Sequence, residues 1–479
     1  MSKPISQVLR LYAAIEQLDY LPRLVARLCV GLMFFGGALR KAARRARIEA
    51  VPEMPAIDVA DALETGETVL PDYAFRHGVP ESALRAAPLT LDGELEIGGQ
   101  EHFYLEGQIA FALPGEGGDM LVHSSTQHPS EVQHIVARVL GVADHAVTVE
   151  CRRMGGGFGG KESQASHWAA IAALAARVTG RPCKLRLDRD DDFALTGKRH
   201  DFITRYEVGF DETGMIEALD VEHLARCGYS ADLSLGVIDR TMFHTDNAYY
   251  LPHAHIASRR LKTNTVSNTA FRGFGGPQGV LAIECVMDAV ARRLCRDPLD
   301  IRKANLYRAG RDVTPYGMTV FDCETLPPLV ETLEESARYR ARREEIAAFN
   351  MGSPIIKRGI ALTPVKFGIS FTLKHLNQAG ALVHVYSDGS VMLNHGGTEM
   401  GQGLNTKVAQ VVAEEFGLPL AAVKITATST AKVPNTAPTA ASSGSDLNGM
   451  AAKIAAGTIR DRMAAEAARR LGAAPGDVC

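Results

Sequence analysis

Met154-Gly155-Gly156-Gly157-Phe158-Gly159-Gly160-Lys161-Glu162 follows a strand-like run, His145 to Arg152, and opens a helix-like one, Ser163 to Val178. Five glycines around one phenylalanine leave the main chain bare. Backbone N–H groups can then approach a ligand closely, and the start of a helix adds partial positive charge for an anion. Gly155, Gly157 and Gly160 satisfy G-x-G-x-x-G, and Gly155 to Lys161 satisfies G-x-x-x-x-G-K. Glu162, however, stands where a nucleotide triphosphatase loop needs a Ser or Thr hydroxyl for Mg²⁺. A carboxylate repels a triphosphate, so the loop suits a less charged ligand with Glu162 as its polar hook. The competing reading is a tight strand-to-helix connection without a ligand.

Three further loops repeat this logic. Thr269-Ala-Phe-Arg-Gly-Phe-Gly-Gly-Pro-Gln-Gly279 leads into a helix over Val280 to Arg293, and Gly396-Gly-Thr-Glu-Met-Gly-Gln-Gly403 into one over Leu404 to Phe416. Thr436-Ala-Pro-Thr-Ala-Ala-Ser-Ser-Gly444 precedes a long Ala-rich helix. Four loops offering N–H groups at helix starts fit one large ligand with several polar edges and a phosphate. No Cys, His or carboxylate cluster accompanies them, so any metal must arrive bound to that ligand.

Around these loops the pattern is α+β. Strands are expected at Glu94 to Gly99, His102 to Leu113 and Met120 to Ser125, then a helix over Ser130 to Leu140. Hairpins are expected at Ile203 to Phe210 with Met215 to His223, and at Ala381 to Ser387 with Ser390 to Asn394. Ser124 to Pro129, with Gln127, is a polar loop at a strand's C-terminal end, where α/β sheets commonly place ligand contacts; for Gln127 alone a turn role competes. Residues 42–87 give helical stretches and Pro-marked loops without evident chemistry. The break between the two halves is expected within Tyr316 to Pro354, with one charged helix over Glu331 to Phe349.

The chain has 479 residues, 46% of them hydrophobic, and a net charge of −3. That length suits roughly three domains at the usual ~150 residues each. Charges of both signs are interspersed, so nucleic acid is not the expected partner. Cysteines 29, 151, 183, 227, 285, 295, 323 and 479 never approach C-x-x-C spacing, which argues against an iron–sulfur or zinc site built by this chain alone. They suit reduced thiols in a cytoplasmic protein. Residues 1–50 hold nine Lys/Arg against three Asp/Glu around an apolar run from Leu28 to Leu39. That run is well short of the ~20 residues that span a bilayer, so no membrane partner is expected. The stretch from Leu24 to Phe35 resembles the first helix of small DoxX-like membrane proteins; an ordinary N-terminal extension is the alternative.

Taken together, Gln-Glu-His-Phe-Tyr-Leu-Glu (100–106), the loop 154–162, Asn-Thr-Ala-Phe-Arg-Gly-Phe-Gly-Gly-Pro-Gln (268–278) and Gly-Gly-Thr-Glu-Met-Gly-Gln-Gly (396–403) resemble the molybdenum-binding subunit of bacterial xanthine dehydrogenases, in the xanthine oxidase family of molybdenum hydroxylases. The resemblance runs in order from about residue 90 to 479, and more weakly over 42–90. It implies two molybdopterin-binding α+β domains, 89–330 and 355–479, the second incomplete. A remnant of an N-terminal hammerhead-like domain (42–88) and a basic, apolar segment of unclear origin (1–41) would precede them. It also implies hydroxylation of hypoxanthine and xanthine toward urate with oxygen from water. Electrons would pass through 2Fe-2S clusters and FAD, held by a partner subunit, to NAD, in an α2β2 assembly.

Residue by residue, the resemblance places Gln127, Phe158, Arg272 and Ala441 around the molybdenum, with Gly157 and Gly159 beside them. Gln402, Ala440, Ser442 and Ser443 match contacts to the pterin and its phosphate. Glu162 and Arg240 match the catalytic pair that grips a purine's two polar edges, Phe274 and Phe371 match the rings on either side of the heterocycle, and Thr372 adds a polar contact. Seen without the family, the two phenylalanines would be core, Arg240 a surface ion pair and Gln402 a cap. The copper-binding cysteine of carbon monoxide dehydrogenases is absent from the Arg272 loop, and aldehyde oxidases tend to lack the Glu/Arg pair. The family's general-base glutamate falls beyond the position of Cys479, and Glu399 is not used as that base. The expectation is that this chain alone shows no detectable xanthine oxidation and aggregates through a half-built second domain; an aldehyde oxidase, or an inactive truncated chain, is the alternative.

Overall fold

The computed structural model describes residues 54–371, 373–474 and 476. The N-terminal segment 1–41 with its DoxX-like run, Thr372 and Cys479 lie outside the described residues. In chain order the strands are β1 (Thr68–His77), β2 (Leu89–Ile97), β3 (Ile109–Pro114), β4 (Met120–Ser124), β5 (Val147–Cys151), β6 (Cys183–Arg186) and β7 (Phe202–Phe210). They continue with β8 (Ile216–Arg226), β9 (Ala254–Leu261), β10 (Ala381–Val385), β11 (Val391–His395), β12 (Val423–Ile425) and β13 (Thr428–Ser429). Helices and sheets mix throughout, and the fold is α+β. Two compact units interleave along the chain. Unit 1 contains Glu101–Gly197 and Ile369–Cys479, and unit 2 contains Pro55–Gln100 and Lys198–Gly368.

Unit 2 is built on a five-stranded sheet of order β1-β9-β8-β7-β2, antiparallel except for the β8–β9 pair. The β7–β8 hairpin turns at Asp211, whose Oδ1 accepts the N–H groups of Thr213 and Met215 at 2.8 and 3.0 Å. The left-handed Gly214 (φ 85°) completes the turn. Phe210, Ile216, Leu219 and Ile256 share a core with Ile283, Met287 and Val290 of the helix Gly276–Arg293. Each such fully buried side chain contributes ~1.5–3 kcal/mol from desolvation.

Unit 1 holds a five-stranded sheet, β13-β5-β4-β3-β6, and a three-stranded sheet, β10-β11-β12. The helix Pro129–Leu140 joins the parallel strands β4 and β5. The helix Ala165–Thr179 buries Ala169, Ala172, Ala173 and Ala176 in one core with Ala110 and Ala112 of β3. Small side chains on both surfaces permit close packing. The second sheet packs its Val391 and Leu393 with Val408 and Val412 of the helix Leu404–Phe416 and Ala452 and Ala456 of the helix Gly444–Leu471. Strand β13 pairs with β5, so residues 428–429 lie beside the strand that feeds the 154–162 loop.

Three local expectations change. The strand expected from His102 begins only at Ile109, because Asp192 draws in the preceding segment: Tyr104 donates its hydroxyl to Oδ1 at 2.7 Å and the Gln108 N–H donates to Oδ2 at 2.9 Å. Within 42–87, residues 68–77 form β1, an edge strand carrying Pro71 with register shifts around it, where a proline is tolerated and the strand signal is weak. The charged helix expected over Glu331 to Phe349 is two helices, Leu326–Ser336 and Tyr339–Gly352, separated by Arg338 at φ 50°. Beyond the break, Arg340 is anchored on Asp300 and Glu334 at 2.6 Å each.

Candidate functional site

In unit 1 the site is made mostly of backbone. Gln127, 3% exposed, lies at the end of the loop after β4 and stitches two chain-distant loops together. Its Oε1 accepts N–H groups of Gly159 (2.9 Å) and Lys161 (3.3 Å), and its Nε2 donates to the Thr439 carbonyl at 3.1 Å. Main-chain bonds on both sides, Gln127 N to Lys161 O and Thr439 N to Gln127 O, are each 2.9 Å. Gly157 is required here: a Cβ would lie 2.6 Å from Gln127 Oε1. Phe158 takes a left-handed conformation (φ 53°) followed by Gly159 at φ 97°, which leaves the ring 41% exposed. Glu162, one turn on, is 5% exposed.

The 436–444 loop supplies the facing half of this arrangement within unit 1. Ala441 and Ser442 are consecutive left-handed residues, φ 55° and 57°. The N–H groups of Ala440, Ala441 and Ser442 meet no acceptor among the described residues. Non-glycine residues rarely adopt this geometry without a functional reason, and successive free N–H groups form an anion-accepting concavity. The Ala441 carbonyl accepts from Ser370 N (2.8 Å), and the Ser443 N–H reaches Ala440 O at 3.4 Å. Phe371 is held by a reciprocal amide pair: its N–H donates to Asn377 Oδ1 (2.9 Å), and Asn377 Nδ2 donates to its carbonyl (2.8 Å).

Gln402 is exposed and turned onto its own loop, accepting from Met400 N at 2.7 Å and donating to Thr398 O at 3.0 Å. The Thr398 hydroxyl nearby is buried without a partner, an uncommon state for a native polar group. Glu399 is committed to structure. Its carboxylate accepts the N–H groups of Gly401, Gly403 and Asn405 at 2.9, 3.1 and 3.0 Å. Burial acts to raise its pKa, but those bonds and Arg153 outweigh it and hold the group below the usual carboxylate range. A carboxylate so held is a poor proton acceptor.

The 154–162 loop rests on a buried cation that sequence reasoning left aside. Lys161 is fully buried; its ammonium donates to Glu106 O (2.6 Å) and Ser125 Oγ (2.8 Å). Burial lowers its pKa to about 8. Glu106 in turn accepts from Gly155 N at 2.6 Å. The spacing Glu106…Lys161 carried no signal, because the pairing exists only after the chain folds.

Unit 2 carries a site made of side chains. Arg240, 8% exposed on the helix Ser234–Met242, donates to the Gly368 carbonyl at 2.6 Å. Its guanidinium lies 6.0 Å from the Phe274 ring and 5.5 Å from the Phe367 ring, within range of cation–π attraction. Desolvation lowers the Arg240 pKa, which still leaves it a cation at neutral pH. His244 locks this arrangement. Gly368 N–H donates to its Nε2 at 3.1 Å, so Nδ1 carries the proton and donates to Arg240 O at 2.8 Å. The ring is therefore neutral, and burial depresses its pKa to about 4.

Phe274 lies between Gly273 and Gly275, with φ of 98°, 50° and 92° along the three residues. A side chain at Gly275 would overlap the Val237 carbonyl, so the loop sits against the Arg240 helix. Arg272 is exposed, and its carbonyl accepts from Arg199 at 2.8 Å. Arg199 is 7% exposed, with its Nη1 unpartnered and its guanidinium 3.9 Å from the centre of the Phe271 ring. Phe367, His244 and Arg199 escaped the sequence reading. Phe367 stands four residues before Phe371 and could have been found from that repeat; the other two had no local signal. Unit 1 thus brings together Gln127, Gly157, Phe158, Gly159 and the 440–443 loop, and unit 2 brings together Arg240 and Phe274. Thr372 lies outside the described residues. No group of three or more His, Cys, Asp or Glu among the described residues is placed to hold a metal ion, and no helix among them is long and apolar enough to cross a membrane.

Residues 64–306 and 332–479 each match the molybdopterin cofactor-binding domain. The chain is 45% identical over 425 residues to xanthine dehydrogenase/oxidase of Gallus gallus, covering 88% of this chain and 31% of that protein. It is 46% identical over 428 residues to xanthine dehydrogenase of Drosophila pseudoobscura pseudoobscura, covering 89% and 32% respectively. It therefore spans about a third of the length of these relatives. Among solved structures, the aldehyde oxidoreductase of Desulfovibrio gigas aligns with a TM-score of 0.73 at 25% identity, over 88% of this chain and 46% of that one. Quinoline 2-oxidoreductase of Pseudomonas putida 86 aligns at 0.79 and 22% identity, over 92% and 58%, a likeness of fold. The free N–H groups at 440–442, the left-handed Phe158 and the unpartnered Thr398 hydroxyl suit a polar, phosphate-bearing ligand, and the chain belongs to the molybdopterin cofactor-binding domain family, within the xanthine oxidase family of molybdenum hydroxylases.

Proposed function

We propose that this chain is the molybdopterin-holding part of a xanthine dehydrogenase that oxidises hypoxanthine and xanthine toward urate. When bound, the molybdenum–molybdopterin group supplies a two-electron oxidation with oxygen taken from water. Gln127, Gly157, Phe158, Gly159, Arg272 and Ala441 would surround the metal end of the cofactor. Gln402, Ala440, Ser442 and Ser443 would hold the pterin and phosphate. Much of this is backbone work: the free N–H groups at 440–442 are already oriented and need no reorganisation on binding.

Glu162 and Arg240 are the proposed catalytic pair. Arg240 presents a permanent charge from a largely dehydrated position, where it stabilises negative charge developing on a purine oxygen far better than it would in water. Glu162 would accept a hydrogen bond from the substrate's opposite edge. Phe274 and Phe371 would flank the heterocycle, with Thr372 as a further polar contact. Electrons would leave through 2Fe-2S clusters and FAD in a partner subunit to NAD, in an α2β2 assembly in the cytoplasm.

The observation that carries the purine reading is Arg240, buried between Phe274 and Phe367 and clamped by Gly368 and His244. The test has two stages. Protein from a host that makes the cofactor is assayed for molybdenum and for fluorescent oxidised pterin; absence of both defeats the cofactor assignment. With the iron–sulfur and flavin partner present, wild type and Glu162→Ala are compared on xanthine and on an aromatic aldehyde. A shift of preference toward the aldehyde in Glu162→Ala is expected. An unchanged ratio would remove the purine assignment and leave an aldehyde oxidase.

A further inference from the structure

Unit 1 carries a second concavity, of about 410 Å3, whose lining includes His123, Glu150, Arg152, Arg153, Lys424 and Thr426. None of these belongs to the cofactor or substrate sets. The sheet brings them together. His123 of β4 is in register with Glu150 of the parallel strand β5, and Arg152 and Arg153 follow β5 directly. Lys424 lies on β12, the edge strand of the small sheet, and Thr426 leads from β12 toward β13, which pairs back onto Glu150.

The charges are out of balance. Arg152, Arg153 and Lys424 make no hydrogen bond and no ion pair among the described residues. The single lining carboxylate, Glu150, sits 3.7 Å from His123 Nδ1. Arg153 also acts on the Glu399 carboxylate outside the lining, so Glu150 and Glu399 together face three cations and positive charge remains in excess. Like charges gathered in one concavity repel unless an anion joins them, and a guanidinium fork matches phosphate oxygens. A second observation lies behind the wall. The Thr426 hydroxyl donates to Asn394 Oδ1, and Asn394, 1% exposed, has an Nδ2 with no partner. Lys432 Nζ reaches the same Thr426 hydroxyl at 3.5 Å, bringing a further cation to this wall.

We infer that this concavity binds a small phosphate ester, with Arg152, Arg153 and Lys424 clamping the phosphate and Glu150 accepting a hydrogen bond from an amine or hydroxyl beside it. Free phosphate shares the anionic chemistry but carries no ammonium to pair with Glu150, so an amine-bearing ester is favoured. The site is separate from the phosphate contacts proposed for the cofactor at Gln402 and 440–443, and its test does not depend on them.

The experiment is calorimetric titration of the full chain at low ionic strength with inorganic phosphate and with 2-aminoethyl phosphate. Saturable binding is expected, tighter for the ester and weakened by added KCl. Arg152→Gln/Lys424→Gln should weaken it at least about tenfold, as the loss of two charge-assisted contacts requires. Lys424→Gln alone, on an exposed edge, should weaken it severalfold and serves if the double variant does not fold. No saturable heat with either probe, or equal affinity in a folded variant, overturns the assignment. Tighter binding of inorganic phosphate than of the ester overturns the role of Glu150 and with it the ester.

Discussion

Unit 1 and unit 2 approach ligand chemistry in opposite ways. In unit 1 the reactive-looking surface is main chain: N–H groups at 440–442 and the bared loop 155–160, positioned by one buried amide, Gln127. In unit 2 it is side chain: Arg240 among Phe274 and Phe367, positioned by a neutral histidine and a carbonyl. A backbone site is most vulnerable to added atoms, because glycines such as Gly157 leave no room for a Cβ. A side-chain site is most vulnerable to removed charge. Substitutions should therefore separate the two by readout, cofactor content for unit 1 and turnover for unit 2.

The largest effect is expected from Gly157→Ala. The new Cβ would sit 2.6 Å from Gln127 Oε1 and push apart the stitch between the two loops. Molybdenum and pterin content should fall to near background, with the far-UV circular dichroism little changed. Retention of a full cofactor complement would show that the 155–160 loop does not touch it.

Arg240→Met comes next. It should leave cofactor content intact and lower kcat on xanthine by ~10²–10³-fold, as loss of a preorganised charge stabiliser does. A fall in molybdenum content instead would mean that the two units do not divide the work as described.

Gln127→Ala removes three side-chain hydrogen bonds from a buried position and leaves the N–H groups of Gly159 and Lys161 without their acceptor. A stability loss of ~1–3 kcal/mol is expected, read from denaturant midpoints. A change below that range would mean that the main-chain bonds at Lys161 and Thr439 carry the connection unaided.

Acid should provide the smallest and most graded contrast. In unit 2, burial depresses His200 to about 3 and both His223 and His244 to about 4; in unit 1, burial depresses His395 to about 4. The unfolded chain takes up these protons near pH ~6.5, before the native state does. Their stabilising contribution is thus complete above that pH and is lost as pH falls toward the folded values. Hydrogen exchange at pH 5 against pH 7, corrected for intrinsic rates, should show earlier loosening around 240–245 and Gly368 than in the helix Leu404–Phe416, which carries no histidine. Equal protection of that helix and of the 240–245 segment would contradict the neutral-His244 clamp.

Much of this was legible in residue order. The glycine loops, the helix Leu404–Phe416, and the hairpins at Asp211–Gly214 and Asp388–Gly389 are local, set by φ > 0 requirements and by alternation over a few residues. What stayed hidden depended on partners far along the chain. Strand β1 is an edge whose Pro71 masks its pattern, and residues 102–108 leave extended pairing because Asp192, more than 80 positions away, captures them. Lys161 matched the lysine of a G-x-x-x-x-G-K spacing that Glu162 already set aside, and only the fold shows that Glu106 and Ser125 accept from its ammonium.

The sequence by itself determined where glycines free the backbone and which residues carry charge, because those properties belong to single residues and their immediate neighbours; that Phe158, Ala441, Ser442 and Arg338 turn left-handed was set by the fold. Only the tertiary structure decided that residues 101–197 and 369–479 share one compact unit, and that Gln127 joins Gly159 to Thr439. It also decided that His244 must be neutral and that Arg152, Arg153 and Lys424 converge on one concavity. The physical reason is the same in each case. Contacts between groups hundreds of residues apart gain their energy only once the intervening chain has folded and excluded water, and no local pattern records that.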